Sequence, residues 1–373
     1  MPGHVLIAAD KFKGSLTASE VSEAVATGLR KVREDVDARV VPVADGGDGT
    51  VRAALANGYR SAPALVTGPV GDPIDTEIAV GADTAVVELA SASGLALLEP
   101  GESAPLGASS DGTGELIRTA LDAGARSIVL GVGGSASTDG GAGMLSALGA
   151  RVLDAAGNPL PPGGGPLTRV SEVDLSGLDP RLSETSFVLA SDVDNPLTGV
   201  HGAAAVYAPQ KGADAEQVEL LDAALDRWSG ALHAAGARDV ASEPSAGAAG
   251  GVGYAALAVL GARPRSGVEV LLELVGFDGA VADARLVVTG EGALDEQTLR
   301  GKAPAGVAAR AAAAGVATVA VAGRCELAEQ RLREGGFAAA YALSEVEPDP
   351  ERSVREAGAL LVPLGERIAR EWL

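Results

Sequence analysis

Five short loops combine glycine with the charged and hydroxyl side chains that phosphate and metal chemistry requires. They read DKFKGS (10–15), DGGDGT (45–50), GGSASTDGGAG (133–143), SDVDNP (191–196) and GEGALDEQTLRGK (290–302). Most of them follow a short apolar run, which is the pattern of a buried strand. Ligands commonly bind at polar loops that follow the strands of an α/β sheet, so this repeated composition predicts an anion-binding site.

The loop at 133–143 is the strongest candidate for contact with phosphate. Its glycines lack Cβ atoms, which lets backbone N–H groups converge on phosphate oxygens, and Ser135, Ser137 and Thr138 add hydroxyl donors. A helix that starts after Gly140 would add its positive end. The alternative is a plain strand-to-helix turn that uses small residues for close packing. The loop matches neither the Walker pattern nor the dinucleotide-binding pattern.

Lysines and carboxylates in the other loops supply the remaining chemistry. Lys13 and Lys302 each lie beside a glycine at a predicted helix start, which suits contact with an anion, whereas Lys11 fits an ordinary surface lysine. The loop carboxylates are Asp10, Asp45, Asp48, Asp192, Asp194, Glu291 and Asp295. Carboxylates beside a phosphate site suit Mg²⁺, a hard cation, although about half of them are expected to cap helices instead.

The loop SDVDNP (191–196) differs from the other acidic loops. Pro196 interrupts any helix that Asp192 or Asp194 would cap, so a capping role explains these two residues poorly. One of them could instead accept the proton of an attacking hydroxyl group, the general-base role in phosphoryl transfer. The loop therefore predicts a catalytic carboxylate.

Alternating strand and helix patterns at both ends of the chain position these loops. HVLIAA (4–9) is a continuous apolar run, and Thr17 and Glu20 have the spacing of a capping box that starts the next helix. The alternation resumes from 283 to 343, whereas short runs between 64 and 110 resemble antiparallel strands and 247–274 is expected to be mostly helical. We therefore expect an α/β protein with a discontinuous α/β domain that is interrupted by an inserted domain.

The expected domain boundaries follow from this change of pattern. Residues 1–66 and 284–373 are assigned to the discontinuous α/β domain and residues 67–283 to the inserted α/β domain, while 112–150 fits either one. A length of 373 residues agrees with roughly two domains.

Composition disfavours several functional classes. The chain has 29 basic and 50 acidic residues and a net charge of −21, which opposes binding to nucleic acid or to anionic membranes. Cys325 is the only cysteine, so the chain can form neither an intrachain disulfide nor a cysteine-built metal site. The first residues do not resemble a secretory signal, and no stretch reaches the about 18 apolar residues of a membrane-spanning helix. These features predict a soluble, cytoplasmic protein.

Seven segments, in order along the chain, resemble the bacterial type 1 glycerate kinase family, the ATP-dependent glycerate 2-kinases. They are DKFKGSLTASE, VADGGDGT, SSDGTGELI, GVGGSASTDGGAGML, SDVDNPLTG, AGAAGGVGYA and VTGEGALDEQTLRGKAP. The resemblance runs from residue 5 to beyond 310 and implies ATP and Mg²⁺ as cofactors, D-glycerate as acceptor and 2-phosphoglycerate as product. It also implies that the discontinuous domain is a Rossmann-like parallel-sheet domain and that the inserted second α/β domain carries a mixed sheet. Ala293 and Leu294 depart from it, because the family usually has an arginine-containing pair there.

This resemblance gives the loop residues expected roles. Asp192 is expected to orient the 2-hydroxyl group, and Lys13 to position either glycerate or the transferring phosphoryl group, so these two residues form the expected catalytic pair. The expected substrate contacts are Asp10, Ser15 and Asn195. The expected nucleotide-phosphate contacts are Gly133, Gly134, Ser135, Ser137, Asp139, Gly140 and Lys302. The expected Mg²⁺ ligands are Asp45, Asp48 and Glu291.

Other functions remain open from the residues alone. A kinase for another small hydroxy acid or for a sugar would keep every phosphate feature, and so would an enzyme that forms 3-phosphoglycerate. Only the family resemblance selects the 2-hydroxyl group. A non-catalytic nucleotide sensor is a further alternative, although no DNA-binding element is visible. Small-molecule substrates are therefore the expected partners, and the oligomeric state is left open.

Overall fold

Strands and helices alternate along most of the chain. The computed structural model describes residues 3–44, 47, 49–99, 101 and 103–373. The strands are β1 (His4–Ala9), β2 (Ala38–Val40), β3 (Arg60–Thr67), β4 (Pro73–Val80), β5 (Thr84–Glu88), β6 (Ser127–Gly131), β7 (Arg151–Leu153), β8 (Glu172–Asp174), β9 (Ser186–Ala190), β10 (Arg263–Arg265), β11 (Ala284–Leu294), β12 (Thr318–Cys325) and β13 (Phe337–Ala342). The helices are α1 (Ala18–Val32), α2 (Thr50–Ala56), α3 (Ala90–Ser93), α4 (Asp111–Asp122), α5 (Ala142–Ala147), α6 (Ala203–Tyr207), α7 (Ala215–Ala234), α8 (Ala248–Ala258), α9 (Gly267–Leu274), α10 (Phe277–Val281), α11 (Ala303–Ala313), α12 (Glu329–Glu334), α13 (Pro350–Arg355) and α14 (Ala357–Trp372).

These elements divide into two units. Unit 1 comprises Met1–Asp45, Arg52–Asn57 and Val268–Leu373, and unit 2 comprises Gly46–Val51 and Gly58–Gly267. The divisions expected at 66/67 and 283/284 therefore lie earlier, at 57/58 and 267/268. The first lies earlier because β3 pairs with β4 along its whole length, and the second because α9 and α10 share a core with β1 and β11. Segment 112–150 lies in unit 2.

The sheet of unit 1 has five strands, all parallel, in the order β13-β12-β11-β1-β2. Helix α1, which follows β1, begins at the expected capping box. There, the Glu20 N–H donates to the Thr17 hydroxyl at 3.3 Å and the Thr17 N–H donates to the Glu20 carboxylate at 2.8 Å. The strand order reverses between β1 and β11, so their carboxyl ends flank the crevice where sheets of this kind bind ligands.

Helices cover both faces of this parallel sheet. Val5 and Ile7 of β1 pack in one apolar core with residues of α1 and α14, whereas Leu6 packs on the opposite face with α9 and α11. This alternation follows from the period of two along a strand, and burial on both faces explains why β1 is apolar throughout. Among the described residues, no helix combines the length and the apolar composition needed to cross a membrane.

The main sheet of unit 2 has six strands in the order β10-β9-β6-β5-β4-β3. β4 is antiparallel to both of its neighbours, β3 and β5, whereas β5, β6, β9 and β10 run parallel. A separate two-stranded antiparallel sheet joins β7 to β8. The α/β class expected from the sequence is confirmed. Because β5, β6 and β9 are parallel, their carboxyl ends lie at one edge of the sheet.

Candidate active site

The carboxyl ends of β1 and β11 bring the first group of polar residues together. Ala9 of β1 pairs with Gly290 of β11, and the Asp10 N–H donates to the Gly290 carbonyl oxygen at 2.8 Å. Asp10 therefore lies one residue beyond β1, beside the strand that carries Glu291. Because the strand order reverses here, unit 1 places two carboxylates where parallel sheets bind ligands.

Glu291 is largely enclosed, with 8 % of its surface exposed. The Thr298 hydroxyl donates to its Oε1 at 2.5 Å, and Lys302 Nζ donates to its Oε2 at 3.1 Å. Burial raises the pKa of Glu291, and the bonds from Thr298 and Lys302 oppose that shift. Lys302 keeps 30 % of its side chain exposed and immediately precedes α11, so its remaining N–H donors can reach a ligand.

Asp295 closes the turn between β11 and α11. Its Oδ1 accepts hydrogen bonds from the N–H groups of Gln297 and Thr298 at 2.8 and 3.1 Å, and the same oxygen lies 3.6 Å from Lys302 Nζ. An aspartate that accepts from the backbone two and three residues onward is a common turn motif. A structural role of this kind was the expectation for about half of the loop carboxylates.

The loop after β1 is a compact turn that presents Lys13. The Phe12 N–H donates to the Leu16 carbonyl at 2.9 Å, and the Ser15 hydroxyl donates to the Val354 carbonyl at 2.5 Å. Lys13 is exposed at the tip and forms no ion pair in the part of the chain that the structure describes. The loop thus offers a free ammonium group to an anion, while the hydrogen of the Ser15 hydroxyl is already in use.

The glycine-rich loop follows β6 in unit 2 and has an accessible and a buried part. Gly133 and Gly134 lie in the accessible part, and the φ of +74° at Gly134 is one that favours glycine. Ser135 is 7 % exposed, whereas Ser137 and Asp139 are completely buried. A phosphate group in solvent would therefore meet the 133–135 part of the loop.

Asp139 holds the buried part of this loop. Its Oδ2 accepts from the N–H and hydroxyl groups of Ser110 at 2.9 and 2.7 Å and from the Gly143 N–H at 3.2 Å. Its Oδ1 accepts from the Gly141 N–H at 3.1 Å. A buried carboxylate with four internal donors is satisfied without an external ligand. In this geometry Asp139 fixes the shape of the loop and does not face a phosphate.

Gly140 is enclosed by two neighbouring segments. Its N–H donates to the Gly250 carbonyl at 3.0 Å, and its own carbonyl accepts from Trp228 Nε1 at 2.9 Å. A Cβ atom at Gly140 would lie 2.4 Å from the Trp228 ring. Close packing and the φ of +64° therefore both require a glycine at this position.

Replacing Gly250 by alanine is expected to displace the glycine-rich loop. A Cβ atom there would lie 2.1 Å from the Ser137 carbonyl oxygen, and the φ of +67° adds backbone strain. Gly261 is a matched control, because its φ is +65° and no atom lies within 4 Å of its Cβ position. Gly261→Ala should cost about 1–2 kcal/mol from the left-handed backbone alone, and Gly250→Ala clearly more. Thermal unfolding of both variants measures the difference, and equal melting temperatures would contradict the clash.

Lys211 contacts this loop and was missed by the sequence-based analysis. It is 4 % exposed, and its Nζ donates to the Ser135 hydroxyl at 2.8 Å and to the Ser137 carbonyl at 2.5 Å. Burial lowers the pKa of Lys211 to about 7, and the charge of Asp139 acts in the opposite direction. A signal was present, because Lys211 precedes Gly212 as Lys13 precedes Gly14.

Glu88 at the end of β5 is a second residue that the sequence-based analysis missed. It is 6 % exposed, and its two carboxylate oxygens accept from the N–H groups of Gly49 and Val51 at 3.1 Å each. It thereby satisfies backbone donors at the start of α2 and holds the end of the DGGDGT loop. In the same unit, a Cβ atom at Gly133 would lie 2.8 Å from the Cα of Gly47, so these two loops approach closely.

The loop after β9 carries Asp192 and Asn195. Asp192 is exposed, and its Oδ1 accepts from the Gly267 N–H at 3.2 Å. Asn195 is half-buried, since its Nδ2 donates to the His201 carbonyl at 2.8 Å and its Oδ1 accepts from the Tyr207 hydroxyl at 2.6 Å. Asp192 is thus a held but accessible carboxylate, whereas Asn195 mainly fixes the loop.

The described site residues fall into two groups, one in each unit. Unit 1 carries Asp10, Lys13, Ser15, Glu291 and Lys302, and unit 2 carries Gly133, Gly134, Ser135, Ser137, Asp139, Gly140, Asp192 and Asn195. Asp45 and Asp48, which were expected to bind Mg²⁺, lie outside the described residues. Among the residues that are described, no three His, Cys, Asp or Glu side chains form a cluster that could hold a metal ion.

Comparison with known proteins shows the family to which this arrangement belongs. The model of the glycerate kinase family matches residues 5–373, nearly the whole chain. The chain belongs to the glycerate kinase family. The resemblance of the seven sequence segments is thereby confirmed.

Relatives within the glycerate kinase family are similar over most of their length. The chain is 43 % identical to a glycerate kinase of Bacillus subtilis (strain 168) over 342 residues, which cover 91 % of this chain and 90 % of the relative. It is 45 % identical to a glycerate 2-kinase of Escherichia coli (strain K12) over 307 residues, which cover 82 % and 81 %. A crystal structure of a putative glycerate kinase 2 from Salmonella typhimurium LT2 superimposes with a TM-score of 0.86 at 40 % identity, covering 99 % of this chain and 98 % of that one.

Proposed function

We propose that this chain transfers the γ-phosphoryl group of ATP to the 2-hydroxyl group of D-glycerate, giving 2-phosphoglycerate and ADP. The observation that carries the proposal is the family match over residues 5–373. The 45 % identity to a protein named glycerate 2-kinase supports the choice of the 2-hydroxyl group. The loops at the carboxyl ends of both sheets supply the residue types that phosphoryl transfer needs, namely cations, backbone donors and carboxylates.

ATP phosphates are assigned to Lys302 and to the accessible part of the glycine-rich loop. Lys302 has three N–H donors, of which one goes to Glu291 Oε2 and a second can face Asp295 Oδ1 at 3.6 Å, so at least one remains for a phosphate oxygen. Gly133, Gly134 and Ser135 offer backbone and hydroxyl donors. The buried residues Ser137, Asp139 and Gly140, which the sequence also suggested as phosphate contacts, are assigned to holding the loop in shape.

Mg²⁺ is proposed as the companion of ATP, with Glu291 as the described residue whose chemistry fits it. Its carboxylate oxygens are hard ligands, and Mg²⁺ commonly binds through one or two carboxylates together with substrate phosphates and water. Asp45 and Asp48 remain proposed ligands outside the described residues. When bound, the ion would neutralise charge on the phosphates. Glu291 itself is kept oriented by Thr298 and Lys302.

The acceptor is assigned to Asp192, Lys13 and the residues around them. Asp192 is exposed and held by the Gly267 N–H, so it can accept the proton of the attacking 2-hydroxyl group. Lys13 has no ion pair among the described residues and can balance charge on the transferring phosphoryl group. The remaining proposed substrate residues are Asp10, Ser15 and Asn195. Ser15 and Asn195 already spend hydrogen bonds on the protein, which orients their loops.

The proposed partners are small molecules, D-glycerate and ATP, and the proposed compartment is the cytoplasm. A net charge of −21 opposes polyanions such as nucleic acid. The single cysteine, Cys325, fits a reducing compartment, in which proteins rarely depend on disulfides.

A panel of acceptors tests this proposal against its alternatives. The purified protein is mixed with ATP and Mg²⁺, and ADP release is followed with D-glycerate, L-glycerate, other small hydroxy acids and sugars. The proposal expects D-glycerate to give the highest kcat/KM, and release to stop when Mg²⁺ is chelated. A higher kcat/KM for another acid or sugar would identify that compound, and not D-glycerate, as the preferred acceptor. ATP binding without ADP release on any acceptor would favour a nucleotide sensor.

A further inference from the structure

Lys211 is a buried lysine whose contacts go to the glycine-rich loop. Lys211 lies in unit 2 with 4 % of its surface exposed, and no carboxylate within the described residues forms an ion pair with its ammonium group. Lysines are almost never fully buried unless they are paired, because removing the charge from water is costly. The two contacts of Nζ, to Ser135 and to the Ser137 carbonyl, are therefore the features that have to account for the position of Lys211.

The direction of the bond between Lys211 and Ser135 follows from their chemistry. An ammonium group has three donors and no acceptor, so the Ser135 hydroxyl oxygen must accept at 2.8 Å. The hydrogen of that hydroxyl is then left to donate to another group. Ser135 adjoins the accessible Gly134, where an anion in solvent can approach.

The backbone around Ser135 is held on both sides. The Gly134 carbonyl accepts from the Leu95 N–H at 2.8 Å, and the Ala136 N–H donates to the Ser93 carbonyl at 2.9 Å. Because the backbone is held at both neighbours, the orientation of the Ser135 hydroxyl hydrogen depends chiefly on what its oxygen accepts.

We propose that charged Lys211 is a positioning residue, which turns the Ser135 hydroxyl into a hydrogen-bond donor for a phosphate oxygen of ATP. The inference rests on the proposed function, since it takes ATP as the ligand of the glycine-rich loop. Lys211 acts through Ser135 and does not touch the nucleotide itself. A neutral amine at the same place has two donors and one lone pair, so the Ser135 hydroxyl is then able to donate to Lys211 instead of to the ATP site.

This mechanism makes ATP binding depend on pH. Burial lowers the pKa of Lys211 to about 7, and Asp139 is the charged described residue whose field opposes that shift. Ser103, on the segment packed against Lys211, is uncharged and donates to its carbonyl at 3.3 Å. As pH rises through about 7, the ammonium group loses its proton, so the KM for ATP should rise in the same range.

Folding stability should increase with pH over the range in which the affinity for ATP decreases. Between pH about 7 and 10.5 the unfolded chain keeps the lysine proton that the folded chain has lost, so Lys211 makes stability increase with pH in this window. If Lys211 had only a structural role, its burial would destabilise the protein least at alkaline pH. A positioning role instead predicts weaker ATP binding at alkaline pH. The two pH dependences separate a positioning role from a structural one.

The test compares Lys211→Met with Lys31→Met, a matched control on the exposed end of α1. Lys211→Met should raise the KM for ATP by about tenfold or more, the expected result of losing one hydrogen bond to a charged phosphate, with the KM for D-glycerate changed by less than about twofold. Ser135→Ala should raise the KM for ATP similarly, and the double variant should be no worse than Ser135→Ala. An unchanged KM for ATP in Lys211→Met, or additive effects in the double variant, would overturn the inference.

Further measurements keep the test decisive if a variant misfolds or if glycerate is not the acceptor. In the wild type, the KM for ATP should rise above pH 7 more steeply than in Ser135→Ala, because titration of ATP itself is common to both. Equal pH profiles would reject the role of Lys211. If the wild type releases no ADP with D-glycerate, the proposed function fails. Calorimetric ATP binding to the same variants then still tests the inference. Lys211→Met should bind ATP more weakly than the wild type, and the double variant should bind it no more weakly than Ser135→Ala.

Discussion

The Asp192→Asn variant is expected to lose about 10²–10⁴-fold in kcat, the usual contribution of a positioned general base. An amide keeps the shape of the side chain and can still accept from the Gly267 N–H, so the loop after β9 should remain in place. It cannot take the proton of the attacking hydroxyl group. The KM for ATP should therefore change little, and the melting temperature should stay near that of the wild type. Steady-state kinetics with D-glycerate measures the loss.

Asp194→Asn is the matched comparison for this prediction. Asp194 lies two residues further along the same loop, is also exposed and carries the same charge. Its charge contributes to the raised pKa of Tyr207, which burial mainly causes, so it is not electrostatically isolated. We expect Asp194→Asn to keep most of the activity. A larger loss in Asp194→Asn than in Asp192→Asn would move the general base to Asp194.

The second large effect is expected for Lys302→Met, with a decrease of about 10²–10³-fold in kcat/KM for ATP, the range measured when one stabilising donor is removed from a developing anion. Lys302 is the cation that pairs with the enclosed Glu291, so its loss has two consequences. A donor to phosphate disappears, and the Glu291 carboxylate is left without its counter-charge, facing an anionic ligand. Both changes weaken ATP binding and transition-state stabilisation.

Arg300→Met provides the control for Lys302→Met. Arg300 is an exposed cation two residues away from Lys302. Its substitution by methionine removes the same formal charge but no bond to Glu291. The control should stay within about twofold of wild-type kcat/KM, as expected for an exposed charge in salt. Comparable losses in both variants would show that overall charge, and not the position of Lys302, governs ATP binding. The KM for D-glycerate serves as an internal reference in each case.

Local patterns in the sequence predicted the elements that carry the site. The continuous apolar run of β1 indicated burial on both faces, and the Thr17–Glu20 spacing predicted the start of α1. Both features depend on neighbouring residues only, which is why they are visible without a structure. The discontinuous α/β arrangement followed from the same alternation at the two ends of the chain.

β10 shows where local patterns were insufficient. The stretch 247–274 was expected to be mostly helical, and α8 and α9 do occupy most of it, but it also contains the three-residue strand Arg263–Arg265 between them. Its sequence, RPR, has no strand alternation, and Pro264 is acceptable only because β10 lies at the edge of its sheet. Pairing with β9 supplies the missing stabilisation, and pairing partners distant in sequence are not visible in a local pattern.

The division of the glycine-rich loop into accessible and buried parts was also not predictable. Ser135 and Ser137 have the same chemistry and lie two residues apart, yet only Ser135 adjoins the accessible part. Asp139 is hydrogen-bonded to Ser110, and Gly140 is hydrogen-bonded to Trp228 and Gly250. All three partners are distant in sequence. Composition identified the loop, and tertiary contacts decide which of its residues can meet a ligand.

Phosphorus NMR of the product shows whether this chain phosphorylates the 2-hydroxyl group of D-glycerate. The purified protein is incubated with D-glycerate, ATP and Mg²⁺, and the product spectrum is compared with those of both phosphoglycerates. We expect the resonance of 2-phosphoglycerate, together with ADP. A resonance of 3-phosphoglycerate, or no phosphoglycerate while ATP is bound, would contradict it.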